Sequence, residues 1–217
     1  SQRFGSPRFI NWFWGLLLLK GDYKNTVLSF LCSEGQNETA YFKQVRQEIK
    51  NNFGDWRSVQ EIIKPFPIIL QNESKVIQWL ARNPDDFVGA LQQIPEQVQL
   101  WIYAYASLLF NRKISEYIRK EEDAPSKLPL ILSRDKSDWL EYYDFLKEDG
   151  INTVPFSHLK PFPFIQWKKR EVKTKEKADV HSVIIIPEGV VLSFTLPKAC
   201  YATTFLSHSF NLMFGKP

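Results

Sequence analysis

Apolar positions recur at helical spacing through roughly the first half of this 217-residue chain and in strand-like runs near its end. The eleven-residue run FINWFWGLLLL, Phe9 to Leu19, is apolar on nearly every side and predicts a buried core helix. It is well short of the ~20 residues a membrane-spanning helix needs, and Asn11 and Gly15 interrupt it. In GDYKNTVLSFLC, residues Tyr23, Val27, Leu28, Phe30 and Leu31 share one helical face, and Asp22 is placed to accept the orphan N–H groups of the first turn. Further helices are predicted from Thr39 to Asn52, Trp56 to Ile63 and Glu73 to Ala81, with Pro65 and Pro67 breaking the chain between the last two. Asn83-Pro84-Asp85 starts a short helical turn into Gly89-Ala90-Leu91.

The strongest periodicity runs from Pro95 to Lys120. Proline suits a first helical turn, where a missing N–H costs nothing. Val98, Trp101, Ile102, Tyr105, Leu108 and Leu109 form the apolar face, and Ile114 and Ile118 are expected to prolong it. Beyond EEDAPSK the pattern changes. Leu128–Leu132 predicts a short strand, and Ser137–Lys147 a helix closed by Gly150. His181–Ile186 and Val190–Leu196 predict a hairpin turning through Pro187-Glu188-Gly189. A terminal helix is expected from Thr203 to before Gly215. The fold class is α+β, mostly helical, with its strands concentrated late.

Composition narrows the function classes. Hydrophobic residues are 44% and aromatics 15% of the chain, which is globular and excludes a disordered class. Cys32 and Cys200 lie far apart, without metal-ligand spacing, and read as buried, reduced thiols of a cytoplasmic protein. A net charge of +4 is mild, but its distribution is uneven. From Lys160 to Lys177 there are seven basic residues and two acids, interleaved with Phe162, Phe164 and Trp167. Cations neutralise phosphates and aromatic faces stack on bases, so the stretch suits a single-stranded or looped RNA. The other reading is a solvated basic linker whose aromatics cover core. His158, His181 and His208 lack paired zinc spacings, the glycines form no phosphate loop, and no Gly-x-Ser-x-Gly elbow occurs. The residues alone describe a globular module without a self-contained active site, and neither metal nor cofactor is expected.

Four segments, in order, resemble the tRNA pseudouridine synthase D (TruD) family. Gln2-Arg3-Phe4-Gly5 matches the second half of an Asn-Tyr-Phe-Gly-x-Gln-Arg-Phe-Gly motif. KGDYKNTVLSFL (Lys20–Leu31) resembles the helix that follows it, reached through a glycine like Gly15. Asp85–Ser115 resembles the family's ALxxLP…AYQSYLFN pattern, and Leu192–Phe210 its FxLPxGxYATxxLRE segment. The resemblance implies an isomerase that detaches a tRNA uracil (usually at tRNA position 13), rotates it and rejoins it through C5, without metal or organic cofactor.

Carried onto this chain, the resemblance implies three parts: residues 1–20 ending an N-terminal catalytic portion, 21–175 an insertion domain, and 176–217 a return to the catalytic domain. The family's catalytic aspartate and its supporting asparagine and phenylalanine belong to motifs upstream of Gln2. The chain is therefore expected to supply walls of an RNA cleft and to be inactive alone, with Asp22, Asp85 and Asp179 the residues to inspect if it proves active. Arg3, Phe4, Lys168, Lys169, Arg170 and Tyr201 are the expected RNA-binding residues. The sequence departs from the family at Ala106 and Leu108 within the AYQSY-like stretch, at Lys198-Ala199-Cys200 before the YAT, and at Ser207-His208 in place of Arg-Glu. The expected partner is tRNA, with no membrane and with self-association through unpaired late strands. A non-catalytic RNA-binding module and a helical protein-interaction domain are the competing readings.

Overall fold

A computed structural model describes residues 8–35, 37–131, 139–151, 157–168, 170–198, 200 and 202–209. Seven helices come first: α1 (Asn11–Leu19), α2 (Tyr23–Cys32), α3 (Ala40–Asn51), α4 (Trp56–Ile63), α5 (Gln71–Leu80), α6 (Phe87–Gln92) and α7 (Pro95–Arg119). Strand β1 (Lys127–Leu130), helix α8 (Tyr143–Glu148) and a 3-10 turn (Ser157–Leu159) follow. Strands β2 (Arg170–Lys173), β3 (Asp179–Ile186) and β4 (Gly189–Thr195) and helix α9 (Ala202–Ser209) complete the order. The mixture of helices with two small antiparallel sheets is the expected α+β class.

Local chemistry explains most of the helix boundaries. Asp22, Thr39, Asp55 and Asp86 each accept a backbone N–H in the first turn of α2, α3, α4 and α6 respectively. The helix after Asn83-Pro84-Asp85 thus starts at the next aspartate. Pro95 occupies the first turn of α7 as predicted. That helix ends in two tightly closing bonds, Glu121 N–H to the Ile118 carbonyl and Glu122 N–H to the Tyr117 carbonyl, with Glu121 at φ +56°.

The core lies between the helices, and α1 rests directly against α7. A Cβ on Gly15 would stand 2.2 Å from the Trp101 carbonyl oxygen, so this helix crossing admits no side chain there. Trp14, Phe30 and Trp101 meet around that contact with ring centroids 5.0–5.4 Å apart. The expected burial of the FINWFWGLLLL helix holds for Trp14, Leu16, Leu18 and Leu19, whereas Phe13 and, ahead of α1, Phe9 are exposed.

Charge is also buried. Arg46 pairs with Glu73 at 2.9 Å and Glu38 at 3.3 Å and donates to the Leu31 carbonyl at 3.0 Å. Arg8 donates to the Phe30 carbonyl at 2.6 Å and reaches Glu73 at 3.4 Å. Both carbonyls belong to the last turn of α2, which has no intrahelical donors left, so the two guanidiniums cap it. Burial, with Arg46 adding to it, pulls the Arg8 guanidinium down to about 10, against the opposing pull of Glu73 and Glu38.

Several expectations are corrected. Ile118 does not prolong the apolar face of α7: it is 71% exposed, because Leu109 is the last fully buried residue of the helix and the contacts beyond it, from Arg112 and Lys113 to Phe145, Glu148, Asp149 and Glu141, stop short of its final turn. Cys32 is buried, but Cys200 is partly exposed. The helix predicted over Ser137–Lys147 is interrupted within its described part. Trp139 and Leu140 are helical, a turn follows, and α8 begins at Tyr143. The turn is held by buried Tyr142, whose hydroxyl donates to the Pro129 carbonyl at 2.6 Å. Gly150, at φ +75°, closes α8 as predicted, with Ile151 N–H bonded to the Leu146 carbonyl.

The hairpin β3–β4 turns through Pro187 and Glu188, with Gly189 already paired to Ile186. Every residue of β3 is exposed, with Ile185 reaching 83%. Phe194 of β4 stacks against Phe205 of α9 at 4.8 Å. The predicted terminal helix is described only to Ser209.

Candidate nucleic-acid interface

The basic stretch from Lys160 to Lys177 is organised by a pairing that periodicity does not reveal. Arg170–Lys173 forms β2 and pairs antiparallel with β1, in the register Leu130↔Arg170 through Lys127↔Lys173. Arg170 and Lys173 are exposed on the paired strand, as Lys160 and Lys168 are before it. Part of the charge is neutralised: Lys173 lies 3.3 Å from Glu176, and Lys175 lies 2.8 Å from Asp123. Among the described residues Lys160, Lys168 and Arg170 have no carboxylate partner.

The aromatics of this stretch take a different direction from the one a stacking surface needs. Phe162 is 1% exposed and packs edge-on against Tyr23 of α2 at 5.7 Å and Phe164 at 5.9 Å. The Tyr23 hydroxyl donates to the His158 carbonyl, tying the same loop to α2. Phe162 is therefore excluded as a base-stacking residue, because the hydrophobic gain of burying its ring on α2 outweighs its exposure. Phe164 and Trp167 are half-buried against the core. Both readings of the stretch hold in part: the aromatics cover core, and the cations face solvent.

Phe164 and Gln166 also border a cavity of about 460 Å3 on the first turns of α7, with Glu96, Gln99, Leu100 and Tyr103 opposite. The Gln99 amide donates to the Tyr103 hydroxyl at 3.0 Å, and that hydroxyl donates to the Gln166 carbonyl at 3.3 Å. The cavity thus lies two residues in sequence from Lys168.

Of the six expected RNA-binding residues, Arg170 is exposed on β2 and Lys168 is exposed two residues before it. Arg3, Phe4, Lys169 and Tyr201 lie outside the described residues. Asp22 is occupied in capping α2. Burial pushes the Cys32 thiol up to about 11, so it stays protonated at neutral pH and is no nucleophile there. Among the described residues no group of three or more His, Cys, Asp and Glu is placed to hold a metal ion. None of their helices is long and apolar enough to cross a membrane.

Comparison with known proteins agrees with this architecture. A protein of Methanopyrus kandleri named probable tRNA pseudouridine synthase D is 27% identical over 94% of this chain and 55% of its own length. A protein of the same name from Thermoplasma volcanium is also 27% identical, over 95% of this chain and 59% of its own. The chain spans somewhat more than half the length of these relatives. The crystal structure of a tRNA pseudouridine synthase D candidate from Methanosarcina mazei superposes with a TM-score of 0.72, covering 94% of this chain and 58% of that one. At 21% identity that likeness speaks for the fold alone. The family model described as tRNA pseudouridine synthase D (TruD) matches residues 1–129, more than half of the sequence. The chain belongs to the TruD family of pseudouridine synthases.

Proposed function

We infer that this chain is the RNA-gripping portion of a cytoplasmic tRNA pseudouridine synthase. The observation that carries the reading is the family match over residues 1–129. The cations Lys160, Lys168 and Arg170 support it, because they are exposed and unneutralised by carboxylates among the described residues. Lys168 and Arg170 bind tRNA phosphates, joined by Lys169 from the same stretch and by Arg3, Phe4 and Tyr201 from the family motifs. Residues 21–175 act as the insertion domain and 176–217 return to the catalytic domain. The attacking aspartate belongs to the family motif upstream of Gln2, and none of Asp22, Asp85 and Asp179 takes its place. The chain by itself binds tRNA without isomerising it, and needs no cofactor. The apolar side chains of β3 and β4 favour association between copies of the chain.

The test is tRNA binding across a salt series, with a pseudouridylation assay beside it. Binding is expected to weaken steeply as salt rises, and Lys168→Ala with Arg170→Ala is expected to make that dependence shallower by about one to two released counterions. No pseudouridine is expected. Absence of binding even at low salt overturns the reading, and product formation overturns the assignment of catalysis to another segment. Light scattering of a concentrated sample checks the association, which a monomer excludes.

A further inference from the structure

The buried arginine pair described above forms the floor of a second cavity, about 500 Å3 in volume, on the other side of the first turns of α7. Five helices converge on it: α1 with Asn11 and Trp14, α2 with Phe30, α3 with Phe42 and Arg46, α5 with Asn72 and Glu73, and α7 with Gln97 and Leu100. Its volume is in the range of small-ligand pockets. Its contents are unusual for an interior, since charge, amide and aromatic groups share one space.

The charges are internally settled. Arg8 and Arg46 face Glu38 and Glu73, so the formal sum is zero, and the carboxylates oppose the entry of a phosphate. The Arg8 guanidinium is further occupied by aromatic faces, 4.6 Å from the Trp14 ring centroid and 5.4 Å from that of Phe30. A free anion is therefore a poor occupant. The amides are different. Among the described residues the Asn72 and Gln97 side chains make no hydrogen bond, although both are half-buried at the cavity wall. Each offers two donors and an acceptor, which matches the edge of an uncharged, planar, polar group. Phe42 also borders the cavity, half-buried, and is held edge-on to Tyr41 and Phe66 at 5.9 and 5.5 Å, which fixes its ring as a flat surface.

We propose that this cavity accepts one unstacked RNA base, stacked on Phe42 and read along its edge by Asn72 and Gln97. The proposal rests on the RNA-binding reading above and specifies where a base, rather than a phosphate, is held. Continuity with the basic stretch supports it. Leu100 borders both this cavity and the one formed with Phe164 and Gln166, and Gln166 leads directly to Lys168. From Gln97 to Tyr103 the helix advances about 9 Å, so the two cavities lie within a few nucleotides of one another along α7. This division of labour, with phosphates held by an exposed cationic edge and a splayed base held in an aromatic-amide pocket, follows how proteins read single-stranded RNA.

The test uses the unmodified 217-residue chain with a short oligouridylate carrying 4-thiouridine, and a matched oligonucleotide in which abasic sites keep every phosphate. Photo-crosslinking is expected to label Phe42, Asn72 or Gln97, and the abasic probe to bind about tenfold more weakly. The variant Asn72→Leu with Gln97→Leu is expected to abolish that difference without altering affinity for the abasic probe. Crosslinks confined to other segments, or equal affinity for the two probes, overturn the proposal. The crosslink map needs no variant, so a poorly folding double substitution does not shield it. Binding of tRNA without binding of oligouridylate overturns the base pocket and leaves the parent reading standing. Failure of both probes and of tRNA overturns both.

Discussion

The helix α1 and the hairpin β3–β4 are the two most concentrated apolar segments of the chain, and they end in opposite surroundings. In α1, Trp14, Leu18 and Leu19 are each no more than 3% exposed, packed between α2 and α7. In the hairpin, Val183, Ile184, Ile185, Val190 and Val191 are between 48% and 83% exposed. Side-chain chemistry does not separate them, since Leu and Ile gain nearly the same from leaving water. The difference is in what lies opposite. Gly15 lets α1 approach the backbone of α7 at Trp101, whereas a two-stranded ribbon has two faces and needs another layer to cover either. An apolar run therefore states that a segment is to be covered without stating by what.

Three measurements sharpen or break this contrast. The largest effect is expected from Glu73→Ala, which leaves Arg8 and Arg46 buried with one carboxylate fewer. Loss of a buried pair's partner costs about 3–5 kcal/mol, read as a fall in urea-unfolding free energy. A loss below about 1 kcal/mol would show that the helical interior is wetter than its packing indicates.

Next is a matched pair. Leu18→Ala is expected to cost about 2–5 kcal/mol, because the residue is fully enclosed and the site cannot collapse. Ile185→Ala is expected to stay within about 0.5 kcal/mol in a sample dilute enough to keep copies of the chain apart, as exposed positions do. Equal losses at that dilution would mean that the hairpin is covered within the single chain.

The smallest effect is a pH dependence confined to the helical side. Burial, and then its 2.8 Å hydrogen bond to Asp149, raises the Tyr105 hydroxyl well above its usual 10.0. Above about pH 10 the unfolded chain ionises this tyrosine while the native state keeps its proton. The unfolded state then binds fewer protons, so stability falls with rising pH, by up to about 1.4 kcal/mol per pH unit. Tyr105→Phe is expected to flatten that alkaline slope in pH-dependent unfolding, and an unchanged slope would place Tyr105 in water.

Much of this architecture is legible in the order of residues. The helix starts at Asp22, Thr39, Trp56 and Pro95, the closure at Gly150 and the turn at Pro187-Glu188 all rest on interactions within one or two turns of chain, which a local pattern encodes. Lys168 and Arg170 are legible as cations of an exposed stretch. The strand that carries Arg170 is not, because β2 exists only by pairing with residues forty positions earlier. Phe162 likewise has the composition of a stacking site around it, and only the fold lays it on Tyr23. The arginine-floored cavity is wholly hidden, since Arg8, Phe42, Asn72 and Gln97 carry no shared spacing.

The sequence by itself determined most of the helical segments, the Asp22 cap, the family and the basic character of residues 160–177. Periodicity and capping depend on neighbours a few residues apart, and motif order survives in the chain itself. The tertiary structure alone decided which apolar faces are covered, where buried Glu73 meets its two arginines, and which amides are left facing a common space. Those outcomes depend on contacts between distant segments, whose geometry is set only when the helices close around one another.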